Sequence, residues 1–309
     1  MPFVKEKFVV PEPILGFLFV MKEFGLSQGE AQRIIGKGRL LIDGESYLPS
    51  GGTIDGEVEI VYFKSKSRGL NPIFQTPDFL VYDKPSGVLV HPNTMATPYS
   101  ILDEIRHISG KDANAVHRID METSGLLLAS KHKSAERFLK NAFEIKSIKK
   151  SYLAWVDGRL EGEFTVEESI RINSDYSTIK HKVFIDNTGK HARTDFKAIR
   201  YDSDLDATLM ECHPHTGRTH QIRVHLFHVK HPILGDPIYG CQFEDSDDYL
   251  EGRQSTEERY IATGATRLML HAQSLEFEYG GRYHIVSRAG FGEIEKMICP
   301  KGQREFNRE

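Results

Sequence analysis

His117-Arg-Ile-Asp-Met-Glu-Thr-Ser-Gly-Leu-Leu-Leu is the densest run of chemically useful side chains in the chain. A polar turn holding the Asp120 carboxylate, with the Arg118 guanidinium two positions earlier, runs straight into an apolar segment. Burying that segment as a strand would hold the turn stiffly, as a reacting carboxylate requires. The same residues also suit a purely architectural use, with Asp120 bonded to Thr123 or Ser124 in an Asx-type turn. Spacing leaves both open. It excludes an aspartic-protease arrangement, which needs Thr/Ser-Gly directly after the acid and a second copy.

A second run, His213-Pro-His-Thr-Gly-Arg-Thr-His-Gln-Ile-Arg-Val-His-Leu, sets Arg218, His220 and Gln221 after a Thr216-Gly217 turn. If the continuation is helical, His220 and Arg223 share a face, as do Ile222 and Leu226, and Arg223 can point at a partner charge. Six histidines between 213 and 231 invite a zinc site. H-E-x-x-H is missing and no carboxylate falls in the interval, so no metal is expected. The third feature is cationic. Lys131, Lys133, Arg137, Lys140, Lys146, Lys149 and Lys150 face only Glu136 and Glu144, and the stretch ends near Tyr152. Cations for phosphates beside a ring face for a base suit a nucleic-acid groove; a solvated helix face explains the charges equally well.

The elements that must position these residues follow from pattern. The 309 residues are enough for about two domains. In the first 66, Ile14, Leu15, Leu18, Phe19 and Met21 follow a helical period. Ser27 with Glu30 has capping-box spacing for a helix burying Ala31, Ile34 and Ile35 and ending at Gly36 or Gly38. A strand from Arg39 then enters the Asp43-Gly44 turn, and Val58–Tyr62 alternates as another strand. Lys64–Gly69 reads as a linker, which divides the chain into residues 1–66 and 67–309. Beyond it, strands are expected at 79–82, 125–129 and 152–156 and a helix at 133–145. The second domain is therefore α+β, on a large, mostly antiparallel sheet. Glu244, Asp245, Asp247, Asp248 and Glu251 are expected in an exposed loop.

Composition narrows the partners. Forty Lys plus Arg against 44 Asp plus Glu give a net charge of −4, so a nucleic-acid partner needs its cations gathered in one place. The first 66 residues are not basic overall, but Arg33, Lys37 and Arg39 fall together at a helix end, where the macrodipole also favours cations. Cys212, Cys241 and Cys299 are far apart, without a C-x-x-C pair, which points to a reducing cytosol. The N-terminus lacks a signal-peptide core and no apolar run is long enough to span a bilayer, so a soluble cytoplasmic protein without membrane partners is expected.

Three segments together resemble the signature segments of the RluA-type pseudouridine synthases, in order: His117-Arg-Ile-Asp120-x-x-Thr-Ser-Gly-Leu-Leu-Leu, Lys150-x-Tyr152, and Thr216-Gly-Arg-Thr-His-Gln-Ile-Arg223-Val-His-Leu. Asp83-Lys-Pro-Ser-Gly, Val90-His-Pro, His231-Pro-Ile-Leu-Gly-Asp-Pro-Ile-Tyr-Gly and Leu270-His-Ala extend the likeness over roughly 72–280. Residues 11–63 resemble a small RNA-binding domain first described in a ribosomal small-subunit protein, one that often precedes this catalytic domain.

The resemblance implies an α+β catalytic domain of the pseudouridine synthase type after a small α+β RNA-binding domain. It implies an isomerase, without metal or organic cofactor, that turns selected uridines of structured RNA into pseudouridine. Asp120, Tyr152 and Arg223 match the family's catalytic acid, pocket aromatic and basic partner. An arginine beside it keeps Asp120 ionised at neutral pH. Arg118 matches the residue that fills the gap left by an extracted base. Ile222 and Leu270 would wall the pocket, while Arg218, His220, Gln221 and Lys150, with Arg33, Lys37 and Arg39 of the first domain, would touch RNA. Met121-Glu122 stands where relatives carry Arg-Asp, positions expected to bear on RNA contacts. Large-subunit ribosomal RNA is the expected target and a monomer the expected form. Transfer RNA is the alternative target. A non-catalytic ribosome-assembly factor and a hydrolase or metalloenzyme using the histidines are the competing classes.

Overall fold

The computed structural model describes residues 2–49, 51–172, 182–291, 297–300 and 302–304. They fall into two units, residues 1–69 with 91–107, and residues 70–90 with 108–309.

The first unit holds β1 (Phe3–Leu15), α1 (Gly16–Phe24), α2 (Gln28–Gly36), β2 (Leu40–Ile42), β3 (Glu45–Ser46), β4 (Thr53–Phe63) and most of α3 (Ile101–Ser109), with sheet order β1-β4-β2-β3. Ile14 and Leu15 end a strand rather than begin a helix. β1 pairs with β4 from Phe3 opposite Phe63 to Leu15 opposite Thr53, and the register shifts between Val10 and Ile14. Pro11 and Pro13 lie in that shift, where their missing N–H groups cost no ladder bond. Ser27 N and Oγ both donate to Glu30, at 3.0 and 2.7 Å, as the capping-box spacing requires. Asp43 and Gly44 both take positive φ, 52° and 81°, between β2 and β3, which is the two-residue hairpin expected of Asp-Gly. The core is Val20, Ala31, Ile35, Leu40, Ile54, Val58 and Ile60. Residues 91–107 cluster here rather than with the second unit, and carboxylates are the reason. Asp103 accepts from Lys66 N at 3.0 Å; Glu104 accepts from Arg68 N and Ser67 Oγ, each at 2.6 Å. The polar linker is thereby tied down by α3.

The second unit contains β5 (Phe74–Gln75), β6 (Phe79–Lys84), β7 (Asn114–Ala115), β8 (Ser124–Ser130), α4 (Lys133–Glu144), β9 (Lys149–Asp157), β10 (Glu163–Ile172), β11 (Val183–Ile185), β12 (Lys190–Asp202), β13 (Ala207–Pro214), α5 (Gln221–His228), α6 (Phe243–Leu250), α7 (Thr256–Thr263), β14 (Leu270–Glu278) and β15 (Arg282–Val286). Its sheet runs β11-β10-β12-β13-β9-β14-β8-β6-β5, with β15 beside β14 and β7 beside β8. Among the described residues only β8 and β14 pair in parallel. Every residue of β8 is buried, and Ile222 and Leu226 of α5 pack with Trp155, Met210 and Leu270 in the core. The acidic segment expected as a loop is instead α6 and its C-cap. Glu244 and Asp245 occupy the first turn, where the helix dipole favours carboxylates, and Asp247 and Asp248 both pair with Arg253 at 2.7 Å. Among the described residues no helix is long and apolar enough to cross a membrane.

The parallel junction constrains one glycine. Gly125 has φ +102°, and a Cβ there would stand 2.3 Å from Ala272 O and 2.6 Å from Ala272 N. Gly125→Ala is therefore expected to cost about 3 kcal/mol or more, which lowers Tm by about 6–12 °C in a domain of this size. Gly162→Ala, also at positive φ (71°) but facing open space, is expected to cost about 1 kcal/mol. Equal melting of the two variants would show that the junction is not tight.

Candidate active site

Asp120 sits in the turn that enters β8, and the turn is held from three sides. Below it, His117 accepts from Leu128 N at 3.0 Å through Nε2 and stacks on Phe143 at 4.4 Å. Burial lowers the His117 pKa to about 3, with Lys150 adding to the effect, so the ring is a neutral clamp. From β6, the fully buried Lys84 Nζ donates to the carbonyls of Pro85, Val88 and Met121, each at 2.8 Å. Burial pulls its pKa down to about 7. Three acceptors nonetheless call for the three protons that only the ammonium carries. From the loop after β6, Ser86 Oγ donates to Glu122 O at 2.6 Å and Gly87 N to Met121 O at 3.0 Å.

The Asp120 side chain turns toward α5 rather than to Thr123 or Ser124. Arg223 Nη1 donates to Asp120 Oδ2 at 3.2 Å. The rest of that guanidinium is fixed by Asp236: Nε and Nη2 each donate to one of its oxygens at 2.7 Å. Asp236 Oδ1 also accepts from Ile238 N at 2.9 Å and Tyr239 N at 3.1 Å. His220, the N-cap of α5, has a left-handed backbone with φ 53°. Its Nδ1 lies 3.2 Å from Tyr239 Oη and its Nε2 3.8 Å from Asp120 Oδ2. Burial alone would raise the Asp120 pKa. The opposing pull of His220, Arg223 and Arg118 leaves it below the ordinary aspartate value. Burial likewise works against the Arg223 cation, and Asp236 with Asp120 overcomes it, so its pKa rises.

Asp120 and Arg223 line an open cleft of about 1190 Å³, together with Arg118, Lys150, Tyr152, Arg218, His220, Gln221, Ile222 and Leu270. Tyr152 is central in β9, opposite Cys212 of β13 and Ala272 of β14, and Ala272 in turn lies opposite Gly125. Burial, then the Asp120 charge, raises its phenol pKa, so it is a neutral ring and hydroxyl. Arg118 and Arg218 are exposed, and Arg218 Nε is steadied by His191 O at 3.0 Å. Eight Lys and Arg side chains line the cleft against four carboxylates, so a chain with net charge −4 carries a cationic groove.

Three expectations change. Gln221 is 4% exposed. Its oxygen accepts from Thr216 Oγ1 and Arg218 N, and its nitrogen donates to Arg193 O and Thr194 Oγ1. All four amide positions are used within the protein, so Gln221 holds the 216–218 turn and has none left for RNA. Of the cationic stretch, Lys140, Lys146, Lys149 and Lys150 line the cleft, whereas Lys131, Lys133 and Arg137 do not. Glu122 turns inward onto Arg259 and Tyr249, at 2.8 and 2.9 Å, rather than outward toward RNA. Arg33, Lys37 and Arg39 belong to the first unit; Arg39 packs over the Phe3 ring at 4.5 Å.

The sequence reading missed Asp236, Lys84, Tyr239 and the wall opposite the lysines. In that wall His191 meets Glu167 at 2.9 Å and His215 meets Asp195 at 2.6 Å. Asp236 had a signal, a lone carboxylate in the Gly235-Asp-Pro turn. Histidines 191 and 215 are each taken by one carboxylate, and among the described residues no group of three or more His, Cys, Asp or Glu is placed to hold a metal ion.

Comparison with known proteins gives the same direction as the geometry. The RNA pseudouridylate synthase family model matches residues 78–228. An uncharacterized RNA pseudouridine synthase of Helicobacter pylori is 36% identical over 288 residues, 93% of this chain and 94% of that protein. The ribosomal large subunit pseudouridine synthase C of Escherichia coli is 35% identical over 231 residues, 74% of this chain and 65% of its own. The solved human RNA pseudouridylate synthase domain containing 1 shares the fold, with TM-score 0.60, 24% identity, and coverage of 77% of this chain and 91% of that one. On this sheet a carboxylate–guanidinium pair lies at the floor of a cation-lined cleft. The chain belongs to the RNA pseudouridine synthase family.

Asp236→Asn leaves the Arg223 charge buried with a weakened partner and is expected to cost about 3–5 kcal/mol in urea unfolding. Arg253→Ala, which breaks only exposed pairs, is expected to leave the urea midpoint almost unchanged. If the two cost the same, Asp236 is not the anchor of Arg223.

Proposed function

We propose that this enzyme isomerises uridines of structured large-subunit ribosomal RNA to pseudouridine and that Asp120 is the group that acts on the sugar. The observation that carries this is the 3.2 Å contact of Arg223 with Asp120, from a guanidinium already locked by Asp236, at the floor of a cationic cleft. The ribosomal target is supported by the name of the Escherichia coli relative.

The reaction breaks the bond between ribose C1′ and uracil N1, turns the ring, and joins C1′ to C5. The C5 hydrogen leaves as a proton and N1, freed from the ribose, takes one up, so the product is an isomer and nothing is oxidised or reduced. The site must supply an ionised acid, a surface that holds the free uracil, and exclusion of water. Asp120, kept ionised by its neighbours, is the acid. It acts on the sugar either by attack at carbon or by taking a proton. The Tyr152 ring, with Ile222 and Leu270 as apolar walls, holds the uracil. A stacked uridine reaches Asp120 only after leaving its helix, at a cost of a few kcal/mol, and the exposed Arg118 fills the space it vacates. Lys140, Lys146, Lys149, Lys150 and Arg218 take the flanking phosphates, with Arg33, Lys37 and Arg39 as a separate docking surface on the first unit.

Asp120→Asn keeps the shape and removes the charge. It is expected to lower kcat by roughly 10³–10⁴-fold while RNA affinity stays within about threefold. Pseudouridine formed at a rate within tenfold of wild type would overturn the assignment.

A further inference from the structure

One buried ion pair takes no part in the chemistry above. Glu122 and Arg259 are 11% and 12% exposed at their side chains and meet at 2.8 Å, and neither lines the cleft. Both Glu122 oxygens are occupied, Oε2 by Arg259 Nη2 from α7 and Oε1 by Tyr249 Oη from α6 at 2.9 Å. The Arg259 guanidinium lies over the Tyr249 ring at 5.1 Å. The same Nη2 also donates to Gly235 O at 2.9 Å.

Their places in the chain give this cluster its meaning. Glu122 is two residues after Asp120, and Gly235 is the residue before Asp236. The contacts therefore close a ring: Asp120 to Arg223, Arg223 to Asp236, the Gly235 carbonyl to Arg259, Arg259 to Glu122, and through Met121 back to Asp120. The Gly235 corner has no slack. Its N–H donates to Thr263 O, the last residue of α7, at 2.6 Å, and a Cβ on it would fall 1.7 Å from Arg267 O. Met121 is equally fixed by Lys84. Opposition to burial by Arg259 and the Tyr249 hydroxyl holds the Glu122 carboxyl below its ordinary value, so the pair is ionic at neutral pH.

We propose that Arg259 is a positioning residue of the isomerisation: by joining the turn that carries Asp120 to the turn that anchors Arg223, it sets the distance between the reacting acid and its guanidinium. The two turns are far apart in sequence, and Tyr249 of α6 and Arg259 of α7 supply the side chains that join them. Lysine at 259 has the charge but not the planar fork, so it replaces the arginine only in part. The proposal rests on the reading that Asp120 is the reacting carboxylate.

The test uses the full-length enzyme and total RNA labelled with [5-³H]uridine, taken from cells in which the gene is deleted. Such RNA contains every target unmodified, and each turnover releases tritium from C5. Arg259→Met is expected to lower kcat by about 10–100-fold, since a shift of about 1 Å at a reacting group costs this much. KM should stay within about twofold, and Arg259→Lys should recover part of the loss. Glu122→Gln separates position from charge. Losing a nearby negative charge would by itself move the acid limb of the kcat–pH profile down, whereas loosening Asp120 from Arg223 moves it up. The expected result is a lower kcat with the acid limb moved up, and this variant keeps the question answerable if the methionine variant does not fold. An unchanged kcat, a change in KM or Tm alone, or an acid limb moved down overturns the proposal. Absence of tritium release by the wild-type enzyme overturns instead the reading on which it rests.

Discussion

A single guanidinium, that of Arg223, stands between two carboxylates, and solvent reaches only one of them. Asp236 is fully buried at its side chain, Arg223 is 4% exposed, and Asp120 keeps 24%. Withdrawing such ions from water costs several kcal/mol each. The arrangement offsets the cost on the buried side, where Asp236 takes two short bonds from Arg223 and two backbone N–H groups. Asp120 receives only the one remaining guanidinium bond, so it is held in place yet stays within reach of a substrate in the cleft. The asymmetry leaves one acid spent on holding the arginine and the other open to the cleft.

Electrostatics inside the cleft follow from the same arrangement. His117, directly under the turn, is kept neutral by burial, so it contributes shape and no charge. The cations that act on Asp120 come from α5 and from Arg118, while the lysines after α4 lie along the cleft wall. A chain of net charge −4 thus carries a local groove in which cations outnumber carboxylates, while other acidic residues gather away from it, on α6 among other elements.

Local signals in the sequence carried much of the fold. The Ser27–Glu30 box, the Asp43-Gly44 hairpin, the buried run of β8 and the amphipathic α4 each depend on neighbours within a few residues, and their chemistry shows in the order of residues. β1 did not, because its one deeply buried residue, Val10, gives no alternation, and its pairing lies with β4 about 50 residues away. α6 was hidden by its charge; repulsion within the acidic run is relieved by Arg253, beyond the end of the helix. In the site, ten residues named from motifs line one cleft, Gln221 among them although its amide is spent internally. Lys84 and Asp236 combine local bonds with contacts that no short pattern announces, to Met121 and to Arg223, and Arg259 reaches back to Glu122. No spacing rule links Arg259 to Glu122 over 137 residues.

Against burial, His220, Arg223 and Arg118 together keep Asp120 ionised, Arg223 through both its charge and a hydrogen bond, and the carboxyl pKa of Asp120 tests this directly. It can be read by carbon NMR of aspartate-labelled enzyme, with the signal assigned from its loss in the asparagine variant. In the wild type the pKa should lie below 3.8, so the ionised acid adds stability above that value and the contribution is lost as pH falls through the folded-state pKa. In Arg223→Gln only His220 and Arg118 oppose burial, so the pKa should rise from its wild-type value. An Asp120 that titrates at or above 3.8 in the wild type, or that does not move when Arg223 is neutralised, would contradict the account.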